Sequence, residues 1–362
     1  MRFPEFSGEW EYHELQSIAP KISSGKDKPN NEGTVVLYGS TGIMGHTTTE
    51  SYKSEIVIVA RVGANAGQLQ LVDIPCGVTD NALVVDAKSW NKYVFYYLQH
   101  FNLNKLVFGS GQPLITGGML KKIKIWAGNN VERNKIVHLL SLMEERIDTQ
   151  KKIIEKYESL IRGLTDTAFT IKSSITLINF SNLYKDAGEG GTPSTSNSEY
   201  YDGGTIPFIK IDDLMTKYLV THKDCITEQG MQKSSAWLIP SSSVIYSNGA
   251  TIGSIAINTY PVCTKQGILG IIPKDNVDVE YLYYFMTSVY FRKEIHRIIT
   301  EGTMKTAYLK DINKILCPLP DLATQKSIAN KLASVTKKIE LDKRALSLLL
   351  IQKKHLLSHL FI

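Results

Sequence analysis

The chain has 362 residues, 43% hydrophobic and 21% charged, a profile that predicts two or three globular domains and argues against a disordered protein. Its 41 lysines and arginines against 35 acidic residues leave a net charge of +6, a mild basic excess that suits an anionic partner without identifying one. Cys76, Cys225, Cys263 and Cys317 form no C-x-x-C pair, and no apolar stretch reaches membrane-span length, so a disulfide framework, a zinc ribbon and a membrane protein are not expected.

In chain order, residues 1–128 read as a strand-rich globular domain. Residues 34–38, 56–59 and 83–85 are short apolar, β-branched runs between glycine-rich turns, hence strands. Residues 93–98 read as an amphipathic helix packed on that sheet, its tyrosines serving as core and rim rather than as platforms for bases. Residues 129–164 predict one long helix, and residues 165–174 a linker. Residues 175–318 form a second domain, with strands at 206–211, 243–246 and 268–272 and a helix at 281–286. After Pro318 and Pro320, Asp321 and Thr324 suit the start of a second long helix, within residues 319–362. The opening Met1-Arg2-Phe3-Pro4-Glu5 has no apolar leader, so a cytoplasmic protein is expected.

The two halves repeat each other. Gly63-Ala64-Asn65-Ala66-Gly67 returns as Gly249-Ala250-Thr251-Ile252-Gly253, 186 positions later. Thr79-Asp80-Asn81-Ala82-Leu83 returns as Thr264-Lys265-Gln266-Gly267-Ile268, the Tyr93–Leu98 stretch as Tyr281–Met286, and Leu120-Lys121-Lys122-Ile123 as Leu309-Lys310-Asp311-Ile312. Each match is weak alone; their shared order and slowly drifting offset mean two domain-sized copies.

Each copy ends in a heptad stripe. The first runs through Ile136, Leu140, Met143, Ile147, Gln150, Ile154, Tyr157, Ile161 and Leu164. The second runs through Ile328, Leu332, Val335, Ile339, Asp342, Leu346, Leu349 and Leu356, broken only by Lys353. A single stripe would read as a core-facing surface helix. Two stripes in matched register predict that the helices pair, and the short linker makes the pair antiparallel. Gln150 and Asp342, near the middle of their stripes, are expected to fix its register. The fold class is therefore α+β: two similar globular domains separated by two long antiparallel coiled-coil helices, an internal duplication with a pseudo-twofold axis.

That geometry suggests duplex DNA. The 25 residues from Ile136 to Ile161 span about 38 Å of helix, close to one DNA turn of about 34–36 Å. Two similar but unequal domains held so would read two different half-sites. Loops between the strands offer side chains that suit base edges and phosphates. In the first copy these are Lys26, Lys28, Tyr38, Ser40, Arg61, Asn65, Asn81 and Gln112. In the second they are Lys210, Gln232, Lys233, Asn248, Lys265, Gln266 and Lys305.

This layout resembles the specificity (S) subunit of type I restriction-modification enzymes. The residues that carry the likeness are Phe6-Ser7-Gly8-Glu9-Trp10, Gly191-Thr192-Pro193, Gly249 to Gly253, Thr264-Lys265-Gln266-Gly267 and the Pro318-Leu319-Pro320-Asp321 lead-in to a long helix. The first copy departs from it, with Lys26-Asp27-Lys28-Pro29 in place of Gly-Thr-Pro and Trp126-Ala127-Gly128 before its helix. The resemblance implies two target-recognition domains joined by helices that act as a ruler on DNA. It implies docking of two methyltransferase (M) subunits, which use S-adenosylmethionine to methylate adenine. It implies a possible restriction (R) subunit that uses ATP and Mg²⁺, and no cofactor in this chain.

Signals for catalysis are weak. There is no G-x-x-x-x-G-K-[ST] phosphate loop and no Asn/Asp-Pro-Pro-Tyr/Phe run. Phe108-Gly109-Ser110-Gly111 lacks a following helix start. Asp73 with Asp86-Ala87-Lys88 imitates part of a metal-dependent nuclease core, but Pro273-Lys274-Asp275 stands at that place in the second copy. His355 and His359 lack the glutamate and third ligand of a zinc site. A noncatalytic subunit is expected; the alternatives are a self-contained duplicated nuclease and a coiled-coil protein-binding scaffold.

Overall fold

The structure, a computed structural model, describes residues 2–106, 113–170, 176–249, 251–299 and 305–361. It divides into two compact units, Met1–Lys152 with Lys343–Ile362, and Ile153–Asp342. Each expected globular domain falls within one unit, and each unit takes part of both long helices. None of the helices among the described residues is long and apolar enough to cross a membrane.

The described strands of the first unit are β1 (Glu11–Glu14), β2 (Lys21–Ser24), β3 (Val35–Gly39), β4 (Gly42–Thr47), β5 (Ile56–Ala60), β6 (Leu69–Val72), β7 (Cys76–Val78), β8 (Ala82–Asp86) and β9 (Lys124–Ala127). Its helices are α1 (Leu15–Ile18), α2 (Asn91–Phe101), α3 (Gly117–Lys121) and the first part of α4 (Asn130–Ala168). One sheet has the order β2-β8-β5-β6, antiparallel throughout. A second has the order β4-β3-β7, with β3 and β7 parallel, and β1 pairs with β9. The run Ile56-Val57-Ile58-Val59 explains why β5 is central: β-branched residues suit the pleat, and both faces are covered. Val57 and Val59 pack in the cluster that holds Tyr93, Val94 and Tyr97 of α2. Ile56 and Ile58 pack with Val72, Cys76 and Val78.

The second unit repeats this plan. Its strands are β10 (Leu177–Asn179), β11 (Tyr184–Glu189), β12 (Ile206–Ile209), β13 (Tyr218–Leu219), β14 (Asp224–Ile226), β15 (Val244–Ser247), β16 (Ile255–Asn258), β17 (Cys263–Thr264), β18 (Ile268–Pro273) and β19 (Leu316–Pro318). Its helices are α5 (Glu228–Gln232), α6 (Val279–Thr287), α7 (Val289–Ile298), α8 (Leu309–Ile312) and the first part of α9 (Leu322–Leu360). The sheets are β11-β18-β15-β16-β13, β14-β12-β17 and β10-β19. Apart from β13, strand takes the place of strand. As expected, the tyrosines of α2 and α6 are core and rim: Tyr93, Tyr96, Tyr97, Tyr281 and Tyr284 are buried, and Tyr283 is partly buried.

Within the first unit α4 and α9 run antiparallel. Met143 and Ile147 pack with Leu349, while Ile136 and Leu140 share a cluster with Leu360 and Phe361. Lys353, the polar break in the stripe, is half-buried and pairs with Glu144 at 2.6 Å. Within the second unit Ile161 and Ile328 pack on the same core as Leu332, and Lys338 lies over the Tyr157 ring. The Asp342 carboxylate there accepts from Lys338 at 2.8 Å.

The end of α4 differs from expectation. The helix runs to Ala168 rather than stopping at Leu164. The hydroxyls of Thr165 and Thr167 donate to the carbonyls of Ile161 and Gly163, so these polar residues extend the helix into the expected linker. Leu164 is 39% exposed, and Thr165 and Phe169 are buried instead. A helix of 3.6 residues per turn drifts from a strict heptad, which moves the buried face by one position. The start of α9 agrees: the Asp321 carboxylate accepts from the Thr324 N–H at 2.9 Å.

Candidate nucleic-acid interface

In both units several of the expected DNA-contacting residues stand on segments hydrogen-bonded to one turn, β7–β8 in the first and β17–β18 in the second. The same backbone hydrogen bonds build both. Thr79 N–H donates to Tyr38 O, and Lys265 N–H to Ile209 O. Arg61 N–H donates to Asn81 O, and Asn248 N–H to Gly267 O. Ile115 N–H donates to Arg61 O, and Ala307 N–H to Asn248 O. Gly25 N–H donates to Ala82 O, and Gly190 N–H to Ile268 O. A Cβ on Gly25 would lie 2.1 Å from Val78 O and one on Gly190 2.0 Å from Thr264 O, so neither position admits a side chain.

The side chains on this shared frame differ. In the first unit Ser40 closes the frame by donating to Asn81 O at 2.7 Å. Gln70, which the sequence reading did not single out, donates to the carbonyls of Gly39 and Ser40 at 3.0 and 3.1 Å. Lys26, Lys28 and Asn81 are exposed, and Asn65 is exposed in the neighbouring turn. Arg61 is half-buried and its Nε has no hydrogen-bond partner. Tyr38 packs half-buried against the cluster of Ile56 and Val78, and burial raises its phenol pKa.

In the second unit Lys265 and Gln266 are exposed on the turn, and Lys305 is exposed near Ala307. Lys210 is held by Asp224 at 2.8 Å. The Gln266 N–H donates to the Thr192 hydroxyl at 3.4 Å and the Gly267 N–H to the Glu189 carboxylate at 2.7 Å. Gln232 and Lys233 are exposed where α5 ends. That end reaches the same edge, because a Cβ on Gly191 would meet Ser235 Oγ at 2.3 Å. Among the described residues the first unit has no helix in the place of α5, which leaves room for Lys26 where the second has Gly191.

Asn248 is a correction. It is 1% exposed, and its amide donates to Ala307 O at 3.2 Å, so it holds the frame and does not face a ligand. The signal was the repeat itself: Asn248 takes the place of Arg61, whose backbone does the same work. Gln112 lies outside the described residues, as does Phe108-Gly109-Ser110-Gly111.

In each unit the lead-in to the long helix is tied to its own domain at corresponding places. Tyr93 donates to Trp126 O and Tyr281 to Pro318 O, each at 2.7 Å. Arg133 donates to Gly128 O and covers the Trp90 ring at 3.7 Å. Gln325, in the corresponding place, donates to Pro320 O and accepts from the Asp278 N–H. Among the described residues no group of three or more His, Cys, Asp or Glu is placed to hold a metal ion. Asp86 accepts from the Lys88 N–H, and His355 and His359 stack in the open on α9. Burial pushes the Cys76 and Cys263 thiols up to about 11, which leaves them protonated core residues.

The family described as the type I restriction modification DNA specificity domain matches twice, over residues 7–159 and 184–350. The chain belongs to this family. It is 36% identical over 169 residues to the MjaIX specificity subunit of Methanocaldococcus jannaschii, covering 44% of this chain and 38% of that protein. It is 27% identical over 266 residues to the EcoR124I/EcoR124II specificity subunit of Escherichia coli, covering 67% of this chain and 62% of that protein. The chain thus spans less than two thirds of either relative. Among solved structures, the S subunit of a type I restriction-modification system from M. genitalium superposes with a TM-score of 0.67 at 18% identity, covering 100% of this chain and 99% of that one. A chain from a study of complex assembly in a type I system gives 0.60 at 17% identity, covering 99% and 98%. Both likenesses are of fold.

Proposed function

We propose that this chain is the noncatalytic DNA-specificity subunit of a type I restriction-modification system. Each globular domain reads one half of a bipartite, asymmetric site. The observation that carries this reading is the pair of corresponding turns: one hydrogen-bonded frame, built twice, presenting different exposed side chains. Identical frames would enter DNA in the same way, and different side chains would read different bases. Lys26, Lys28, Lys265 and Lys305 suit phosphates or guanine edges, and Asn81 and Gln266 suit adenine.

The paired helices set the number of unread base pairs between the half-sites and dock two methyltransferase subunits, with Gln150 and Asp342 fixing their register. S-adenosylmethionine belongs to those subunits, and ATP and Mg²⁺ to a restriction subunit where one joins. The target adenine must leave the stack to be methylated, a task for the partner. The reading places the protein in the cytoplasm, beside bacterial DNA.

Mapping methylated adenines in a genome that carries this chain and its methyltransferase partner tests the proposal. Methylation at one bipartite motif is expected; methylation without sequence preference would favour a plain protein-binding scaffold. Lengthening both helices by one heptad, about 10.5 Å, should lengthen the unread spacer by about three base pairs. An unchanged spacer would refute the ruler. Cleavage of DNA by the pure chain with Mg²⁺ would overturn the noncatalytic reading.

A further inference from the structure

The first unit exposes two large apolar side chains beside its polar turn. β3 and β4 form a tight hairpin with Ser40 and Thr41 at the loop. Gly39 pairs with Gly42 and Tyr38 with Ile43, and then the register shifts, leaving Met44 at a bulge. Ile43 is 64% exposed and Met44 56% exposed. β4 is an edge strand, and apolar side chains on an open edge invite aggregation unless something covers them in use.

The hairpin is held rigidly. Gln70 clamps the Gly39 and Ser40 carbonyls, and Ser40 ties the loop to Asn81. The Met44 side chain lies over Gly39, where a Cβ would come 2.1 Å from its sulfur. Gly42 and Gly45 have φ of +136° and +142°, which suits a bent edge. The Arg61 N–H donates to the same Asn81 carbonyl as Ser40, and Lys26 precedes Asp27, whose N–H donates to Val78 O. The hairpin loop therefore shares a carbonyl partner with the Arg61 backbone, in the turn that carries the exposed Asn81 side chain. Asp80, an exposed carboxylate in the same turn, suits a cytosine amino group.

In the major groove an A·T pair presents one apolar group, the thymine 5-methyl. We propose that Ile43 and Met44 are specificity-determining residues that contact thymine methyl groups in the half-site read by the first unit. The inference rests on the DNA-specificity reading above. Among the described residues the second unit has no tight hairpin there: residues 210–223 separate β12 from β14, and that connection exposes different apolar side chains, Met215 and Val220.

The test uses the full chain with its methyltransferase partner and duplexes carrying the mapped target. Deoxyuridine replaces thymine one position at a time, removing only the methyl group. Binding should weaken about four-fold at each contacted thymine of the first unit's half-site, the scale of one methyl group leaving water. The Ile43→Ala/Met44→Ala variant should lose that sensitivity and keep its discrimination at the other half-site. Three outcomes overturn the proposal: a first half-site without thymine on either strand, wild-type binding indifferent to every such replacement, or a variant as sensitive as wild type. A variant that loses its methyltransferase while keeping the sensitivity would make the hairpin a protein contact. Failure of the underlying reading looks different, since wild type would then prefer no target over scrambled DNA.

Discussion

The two units differ most where their frames agree best. β3 turns into β4 through Ser40 and Thr41, whereas β12 reaches β14 only after residues 210–223, which donate β13 to the edge of the main sheet. The added strand brings a buried cation. Lys217 is 6% exposed and pairs with Glu280 while donating to the Tyr284 hydroxyl at 3.0 Å. Tyr284 in turn bonds Thr336 of α9 at 3.0 Å. In the first unit the comparable tie is simpler: Tyr96 bonds Ser141 of α4 at 3.2 Å. A duplicated frame thus tolerates unequal loops, provided that each loop satisfies the polar groups it buries.

The largest effect should come from exchanging residues 1–128 for the corresponding domain of another family member. One half-site should be replaced completely and the other kept, as read by methylation mapping; a change in both would break the independence of the two domains.

Next is Lys217→Met, which removes the cation from the partly buried Glu280 carboxylate and leaves it only the Tyr218 hydroxyl. Destabilisation of the second unit by about 3 kcal/mol is expected, with the first unit unchanged, as read by hydrogen exchange. Burial pulls the Lys217 pKa down, but the Glu280 and Tyr284 hydrogen bonds outweigh it and the net shift is upward. A raised lysine pKa stabilises fully below its unfolded value of about 10.4 and loses that contribution as pH rises through the folded value. The gap between wild type and variant should therefore be constant from pH 6 to pH 9 and shrink only in strong alkali.

Gln266→Ala should relax discrimination at one base of the second half-site by about 1–3 kcal/mol, and Asn81→Ala should do so at the first. Equal loss on all DNA sequences would instead make these side chains phosphate contacts.

The smallest effect compares like with like. Tyr93→Phe and Tyr281→Phe each remove one hydrogen bond, to Trp126 O and Pro318 O, and should each cost about 1 kcal/mol in urea unfolding. A clear inequality would show that the two frames are less alike energetically than geometrically.

Duplication, the central strands and the long helices were legible in the sequence because each rests on a pattern of neighbouring or repeated residues. β-branched runs between glycines mark β5 and β15, and heptads mark α4 and α9. Matched segments such as Gly63–Gly67 and Gly249–Gly253 showed that whatever the first half builds, the second builds again. The end of α4 was not legible, because hydroxyls that close a turn onto Ile161 and Gly163 look in sequence like loop residues.

Which loop side chains face outward was decided by tertiary structure alone. Asn248 and Gln266 are both amides beside glycine, yet one is buried on Ala307 and the other stands open. Ile43 and Met44, which no sequence pattern singled out, are exposed because β4 lies at an edge and carries a bulge. Local pattern determines where strands and helices form, since propensity and periodicity act over a few residues. Exposure depends on what distant segments cover, and only the folded chain brings those segments together.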